Sequence, residues 1–381
     1  MTTAPDIHGL CPAPLSAVKD AFAANFVDAP EGFNEQGARF CATIEGDVVV
    51  DLWAGVADPK TATPFDDRTL TPVFSSGKAM MALMIALCVE RGLLRYDQTV
   101  ASVWPAYGQA GKDAITLAQL MSHQDGLPGF DSEVDPTIWF DPPAVLARLA
   151  AQAPMWPPGT ASGYHPITIG YLAGELFRLS DGRSMGTALK DDIAGPFGLD
   201  MWLGLPESEH GRVAVMKKPA KAVDLGPIDA VKKAAFLDRG SAPGGRGSTE
   251  WRTMEIPSAN LHATAHGLAR AMAVFANDGR LDGRAVLSPG VVDQVTTERI
   301  HGPDRVLPFD ISWATGLMRN EGLNIFGPNP GAVGHCGWGG SCVMADAKAR
   351  VSAAYVMTRQ SHHLIGDPRA GRLIDALYSV L

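Results

Sequence analysis

Leu15, Val18, Phe22 and Phe26 recur at helical spacing and predict an amphipathic helix near the N-terminus. The pattern then shortens its period. Residues 40–46, Phe-Cys-Ala-Thr-Ile-Glu-Gly, and 47–53, Asp-Val-Val-Val-Asp-Leu-Trp, read as two strands joined through Glu45-Gly46-Asp47. From Ala79 an unbroken apolar run of good helix formers extends to Val89, so this helix has to be buried on most sides. Short helices are predicted at 117–121 and 143–149 and a longer one over 167–179. Strand-like composition returns only at 341–346 and 349–358, before a last helix over 371–380. Gly and Pro punctuate the loops, most densely at 238–248 and 326–331. Strands at both ends with helices between predict one sheet built from the two termini and a helical lobe inserted from the middle.

Composition narrows the function classes. The 381 residues are enough for two to three domains or two merged lobes. With 46% hydrophobic and 19% charged residues the chain is a folded globular protein and not a disordered one. A formal charge of −9 without any basic run argues against nucleic acid as a partner. The five cysteines never form Cys-x-x-Cys, which argues against a disulfide framework and a structural zinc site and fits a reducing compartment. The N-terminal stretch MTTAPDIHGLCPAPLS has no basic residue ahead of an apolar core, so no secretory signal is expected. The run over 79–89 is about half of what a membrane span needs. The expectation is a soluble cytoplasmic protein, neither in nor on a membrane, of undetermined oligomeric state.

One motif carries candidate chemistry. Ser75-Ser-Gly-Lys78 stands at the mouth of the predicted buried helix, where residues three apart share a face and the amine can reach the hydroxyl. Helix N-terminal N–H groups would face developing negative charge, and burial would lower the Lys78 pKa so that a neutral amine could act as a base. The bland alternative is an N-capping Ser75 and a snorkelling Lys78. A second copy, Ser16-Ala-Val-Lys19, falls on the amphipathic N-terminal helix and reads as a solvated face.

Further along stand Gly163-Tyr-His-Pro166 and His335-Cys-Gly-Trp-Gly-Gly-Ser341. The order Ser-x-x-Lys, Tyr, then a Gly-rich turn into a strand resembles the serine hydrolases of the penicillin-recognising superfamily, and within them the family VIII carboxylesterases. The resemblance includes Ile115-Thr-Leu-Ala-Gln-Leu-Met-Ser-His-Gln-Asp-Gly-Leu-Pro128 and Ala259-Asn-Leu-His-Ala-Thr-Ala265, and it runs from about residue 35 to 360. It implies an α/β (α+β), β-lactamase-like fold with a mainly antiparallel sheet flanked by helices. The lobes would be 1–76 with 250–381, and 77–249.

By matching positions the resemblance implies Ser75 as nucleophile, Lys78 as its base partner and Tyr164 as the third catalytic group. It implies an oxyanion hole from the N–H groups of Ser75 and Ser341, and a substrate-binding turn of Trp338, Gly339 and Gly340 with His335 nearby. A second register, His335-Cys-Gly337, would give the N–H of Trp338 instead. Pro166 stands where class C β-lactamases have the Asn of Tyr-x-Asn, and Lys-Thr-Gly is missing. The polar groups that hold a lactam's amide and carboxylate are therefore lacking.

Other features are weighed beside these. His262 and His266, four apart, could ligate a metal from one helix face, but no third ligand is evident and core or surface roles are expected. Ser258-Ala-Asn260 is held in reserve as the second motif, and His123 is expected to play a structural hydrogen-bonding role. No Gly-x-Ser-x-Gly, Walker or dinucleotide pattern occurs, so no cofactor and no metal is implied. The expected function is hydrolysis of a small-molecule, short-acyl carboxylic ester through a Ser75 acyl-enzyme. The alternatives are a β-lactamase or penicillin-binding-type peptidase, or a non-catalytic scaffold.

Overall fold

The structure, a computed structural model, describes residues 4–381. The first three residues of the stretch read above for a leader lie outside the described residues. Among the described residues ten strands form one antiparallel sheet. From one edge its order is His8–Leu10, Asp47–Asp58, Gly37–Ile44, Val351–Met357, Cys342–Asp346, Val333–Cys336, Met318–Arg319, Asp310–Trp313 and Ile300–Pro303, with Thr63–Pro64 appended to Asp47–Asp58. The two termini thus meet in the middle of the sheet, where Phe40 lies opposite both Leu52 and Tyr355.

Period-two alternation decides which face each residue buries. Cys41, Val343, Ala345, Ala354 and Val356 enter one core, whereas Phe40, Ala42, Met344, Ala353 and Tyr355 enter the other. Both faces are covered, so the central strands show no polar face. Helix Ala265–Ala276 packs on the first face, and helices Ser16–Val27 and Pro368–Tyr378 pack together and help to close the second. Val18, Phe22 and Phe26 are buried on the N-terminal helix, as its spacing predicts.

The long apolar run forms helix Lys78–Glu90, buried at every position from Lys78 to Cys88. It packs between helices Thr168–Asp181 and Pro289–Thr296. The predicted hairpin is present, with strands Gly37–Ile44 and Asp47–Asp58 longer than expected.

The strands at 300–336 were not expected from the sequence. Ile300–Pro303 carries Gly302 and Pro303, and Met318–Arg319 is two residues long. Such composition reads as loop. Pro303 is tolerated because its strand is an edge, where a missing N–H breaks no ladder.

Candidate active site

The chain reaches the site through strand Thr71–Pro72 and a tight 3-10 turn, Phe74–Gly77, that leads directly into helix Lys78–Glu90. Phe74 has φ 49°, a left-handed conformation that costs a bulky residue energy and that persists only where its surroundings enforce it. Here it turns Ser75 into an open cleft, which Tyr164, Pro166, Trp251, Cys336 and Trp338 also line.

Lys78 is fully buried, and its Nζ lies 3.0 Å from Ser75 Oγ. Two carbonyls complete its surroundings, Pro166 at 2.8 Å and Ser258 at 2.9 Å. Burial pushes its pKa well below the ordinary lysine value. A neutral amine has two N–H bonds and one lone pair. The two carbonyls take the N–H bonds, so the lone pair is left facing the Ser75 hydroxyl.

Tyr164 covers this amine, with Nζ 4.8 Å from its ring centroid. Burial raises the phenol's pKa above its ordinary value, and contact with the Ser75 hydroxyl works against that rise. Its ring stacks on Trp313 at 5.8 Å and 4°, while the His123 ring meets it edge-on at 5.2 Å. Asp304, itself buried, accepts from the Tyr164 N–H at 2.9 Å and from Trp313 Nε1 at 3.0 Å. One carboxylate thus fixes the tyrosine's backbone and the indole it stacks on. Nothing local in the sequence marks Asp304 or Trp313, because each acts across the fold.

A second polar layer lies behind. His165 Nε2 is 2.5 Å from Asp125, whose other oxygen accepts from Tyr107 Oη at 2.8 Å. His123 Nδ1 accepts from the His165 N–H at 3.2 Å, the hydrogen-bonding role expected of it. Burial keeps His123 and His335 neutral, pulling the latter's pKa down to about 3.

The Gly-rich turn divides its residues between two directions. Cys336 and Trp338 line the cleft; His335, Gly339, Gly340 and Ser341 do not. Ser341 Oγ donates to the Val73 carbonyl at 2.8 Å and lies 3.0 Å from Ser76 Oγ, so its side chain points behind the nucleophile. The His335 ring packs 5.9 Å from Tyr164, its Nδ1 against the Cys336 carbonyl. Gly339 and Gly340 have φ of 89° and 121°, and a Cβ on Gly340 would meet the Asp367 carboxylate at 2.3 Å. These two glycines shape the turn against its support.

Three sequence readings change. Ser258 Oγ donates to the Ile167 carbonyl at 2.7 Å, and the residue meets Lys78 through its carbonyl, so its hydroxyl is not aimed at Ser75. His262 lies on strand His262–Ala263 and His266 on the helix that follows, so they do not share a helix face. The loop at 238–248 is more than punctuation, since Ala242, Pro243 and Arg246 form one wall of the cleft.

Comparison with known proteins gives a consistent picture. A family model described as Beta-lactamase matches residues 22–376. The esterase/beta-lactamase LipL of Mycobacterium tuberculosis is 32% identical over 378 residues, covering 96% of this chain and 86% of that protein. Among solved structures, a penicillin-binding protein homologue from Caulobacter crescentus superposes with a TM-score of 0.96 at 54% identity, covering 99% of this chain and all of that one. A family VIII carboxylesterase superposes with a TM-score of 0.91 at 37% identity, again over 99% of this chain and all of the other.

Proposed function

Since this chain belongs to the beta-lactamase family, we propose that it works as a carboxylesterase, a serine hydrolase that cleaves small, short-acyl esters through a covalent intermediate on Ser75. The observation that carries the reading is the buried Lys78 amine, 3.0 Å from Ser75 Oγ and held by the carbonyls of Pro166 and Ser258.

In the first half-reaction Lys78 takes the Ser75 proton as Oγ bonds to the ester carbonyl carbon. The oxygen that becomes negative is held by backbone N–H groups of Ser75 and of the turn after Cys336. Trp338 is the donor favoured there over Ser341, because Trp338 lines the cleft and Ser341 does not. When the tetrahedral carbon collapses, the C–O bond to the alcohol breaks, and Tyr164, set over the Lys78 amine, passes the proton to the leaving oxygen. Water then attacks the acyl carbon, giving up its proton to the same pair, and Ser75 leaves with a proton restored.

Among the described residues no helix is long and apolar enough to cross a membrane, and all five cysteines are free, which supports a cytoplasmic location. We assign residues 1–76 with 250–381 to one lobe and 77–249 to the other; every strand of the large sheet falls outside 77–249.

The test is steady-state hydrolysis of a p-nitrophenyl acyl series beside a chromogenic cephalosporin. The expected kcat/KM for p-nitrophenyl butyrate exceeds that for the cephalosporin by roughly two powers of ten, since Pro166 offers no amide where the Tyr-x-Asn pattern would. A cephalosporin turned over as efficiently as the best ester would promote the lactamase alternative, which the name of the Mycobacterium relative keeps in view.

A further inference from the structure

The cleft around Ser75 is apolar over most of its wall. Among the described residues Arg246 is the only charged one lining it, and no carboxylate does. The groove that adjoins it across Phe74 and Trp251 is lined by Lys218, Arg252 and Arg246 again, also without a carboxylate. This concentration of cations occurs in a chain whose formal charge is −9. Arg246 has neither a salt bridge nor a side-chain hydrogen bond among the described residues. Its guanidinium stands 5.8 Å from the Phe74 ring and 5.9 Å from the Trp338 ring. Phe74 immediately precedes the nucleophile, and Trp338 opens the turn proposed to hold the oxyanion. The cation therefore stands against the ring of the residue before the nucleophile and against a ring of the turn that follows Cys336, in the same cleft as Ser75.

Two aromatic faces attract a guanidinium but accept none of its five N–H bonds in the planar, paired manner that a carboxylate does. Arg246 is exposed at the cleft mouth, and the partial desolvation it undergoes there works against its charge, pushing its pKa below the ordinary arginine value. A cation kept at an enzyme's mouth without a partner is complementary to a charge that arrives with the substrate. We propose that the cleft selects esters bearing a carboxylate, and that Arg246 binds that carboxylate through its paired N–H groups. Two substrate chemistries meet this description: monoesters of dicarboxylic acids, with the charge on the acyl side, and esters of hydroxy acids, with the charge on the leaving side. The proposal rests on the serine esterase reading and narrows it. It also revises one expectation, because an anion holder is supplied by the loop at 238–248 in place of the missing Lys-Thr-Gly.

The experiment uses two matched pairs on the full-length enzyme. On the leaving side, 4-butyryloxybenzoate is compared with the neutral 4-butyryloxybenzamide; on the acyl side, monoethyl glutarate is compared with the neutral ethyl glutaramate. Wild type, Arg246→Gln and Arg246→Lys are assayed, with circular dichroism and melting temperature to verify folding. In wild type, kcat/KM is expected to favour the charged member of at least one pair by about tenfold or more, and the responding pair tells which side carries the anion. In Arg246→Gln that charged-to-neutral ratio should fall by about 10- to 100-fold, chiefly through KM. Arg246→Lys should restore part of it, since it keeps the charge but not the fork. Equal ratios in wild type and Arg246→Gln, or a wild type that prefers the neutral member of both pairs, overturn the proposal while leaving the esterase intact. A wild type that turns over neither the four esters nor p-nitrophenyl butyrate overturns the esterase reading and this proposal with it; one that cleaves p-nitrophenyl butyrate but none of the four overturns this proposal alone.

Discussion

Ser16-Ala-Val-Lys19 and Ser75-Ser-Gly-Lys78 share residue types and spacing, yet the fold treats them in opposite ways. Ser16 and Lys19 are exposed on a helix whose buried face is Val18, Phe22 and Phe26. Ser75 opens into a cleft from a strained turn, and Lys78 is buried beneath it, its amine shared among one hydroxyl and two carbonyls. A third lysine refines the contrast. Lys112 is shielded from solvent like Lys78, though nearer the surface, and donates to the carbonyls of Gln109, Ala150 and Gln152, but no hydroxyl faces it. Spacing, burial and an adjacent nucleophile are separate conditions, and of these three lysines only Lys78 meets all of them.

The largest effect separates the two copies. Ser75→Ala should abolish hydrolysis of p-nitrophenyl butyrate, whereas Ser16→Ala should leave kcat/KM within about twofold of wild type, as surface changes usually do. Comparable losses from both would break the contrast outright.

Proton transfer comes next. Lys78→Ala and Tyr164→Phe should each lower kcat by about 10²–10⁴-fold. Lys78→Arg should fail as badly, because a guanidinium stays protonated and cannot accept the Ser75 proton. Near-normal kcat in Tyr164→Phe would reduce that tyrosine to a wall of the cleft.

The pH dependence sharpens the role of burial. Lys78 must be neutral to act, so kcat/KM should rise with pH and reach half its maximum well below the ordinary lysine value of 10.5. Linkage has the same origin. Between the lowered folded pKa and 10.5 the unfolded chain binds the extra proton, so this group makes stability increase as pH rises through that window. Urea melts across pH should show that slope diminish in Lys78→Met.

The smallest change in activity is expected at Lys112. Lys112→Met leaves carbonyls at Ala150 and Gln152 unpaired, while that of Gln109 keeps its backbone N–H partner, and should cost about 1–3 kcal/mol of stability per buried group so stranded. Its kcat should stay within about twofold of wild type, dissociating a buried lysine's structural role from a catalytic one.

What could be read in the chain depended on whether the determining contact was local. The hairpin of Gly37–Ile44 and Asp47–Asp58 and the buried helix from Lys78 follow from period and composition over neighbouring residues. The proximity of Ser75 to Lys78 follows from three-residue spacing. Tyr164 could be placed beside them only through a family resemblance, because nearly ninety residues separate it from Ser75. The strands over 300–336 were hidden by Gly302, Pro303 and their shortness, since pairing with neighbours rather than propensity makes them strands. Asp304 holds Tyr164 across 140 positions and leaves no local trace. The turn was legible as a Gly-rich segment but not in its orientation. Gly337 leaves no room for a Cβ beside Ser341 Oγ and the Val73 carbonyl, while Trp338 lines the cleft and the Ser341 side chain lies behind.

The central claim is that burial and partners make Ser75, and not its spacing twin, the nucleophile. It is tested most directly by reacting wild type, Lys78→Ala and Ser75→Ala with a p-nitrophenyl alkylphosphonate, then reading intact mass and mapping the adduct by peptide sequencing. The account predicts a single adduct on Ser75 in wild type, formation slowed by at least tenfold in Lys78→Ala, and none in Ser75→Ala. An adduct on Ser16 or any other serine, or Ser75 labelled equally fast without Lys78, would contradict it.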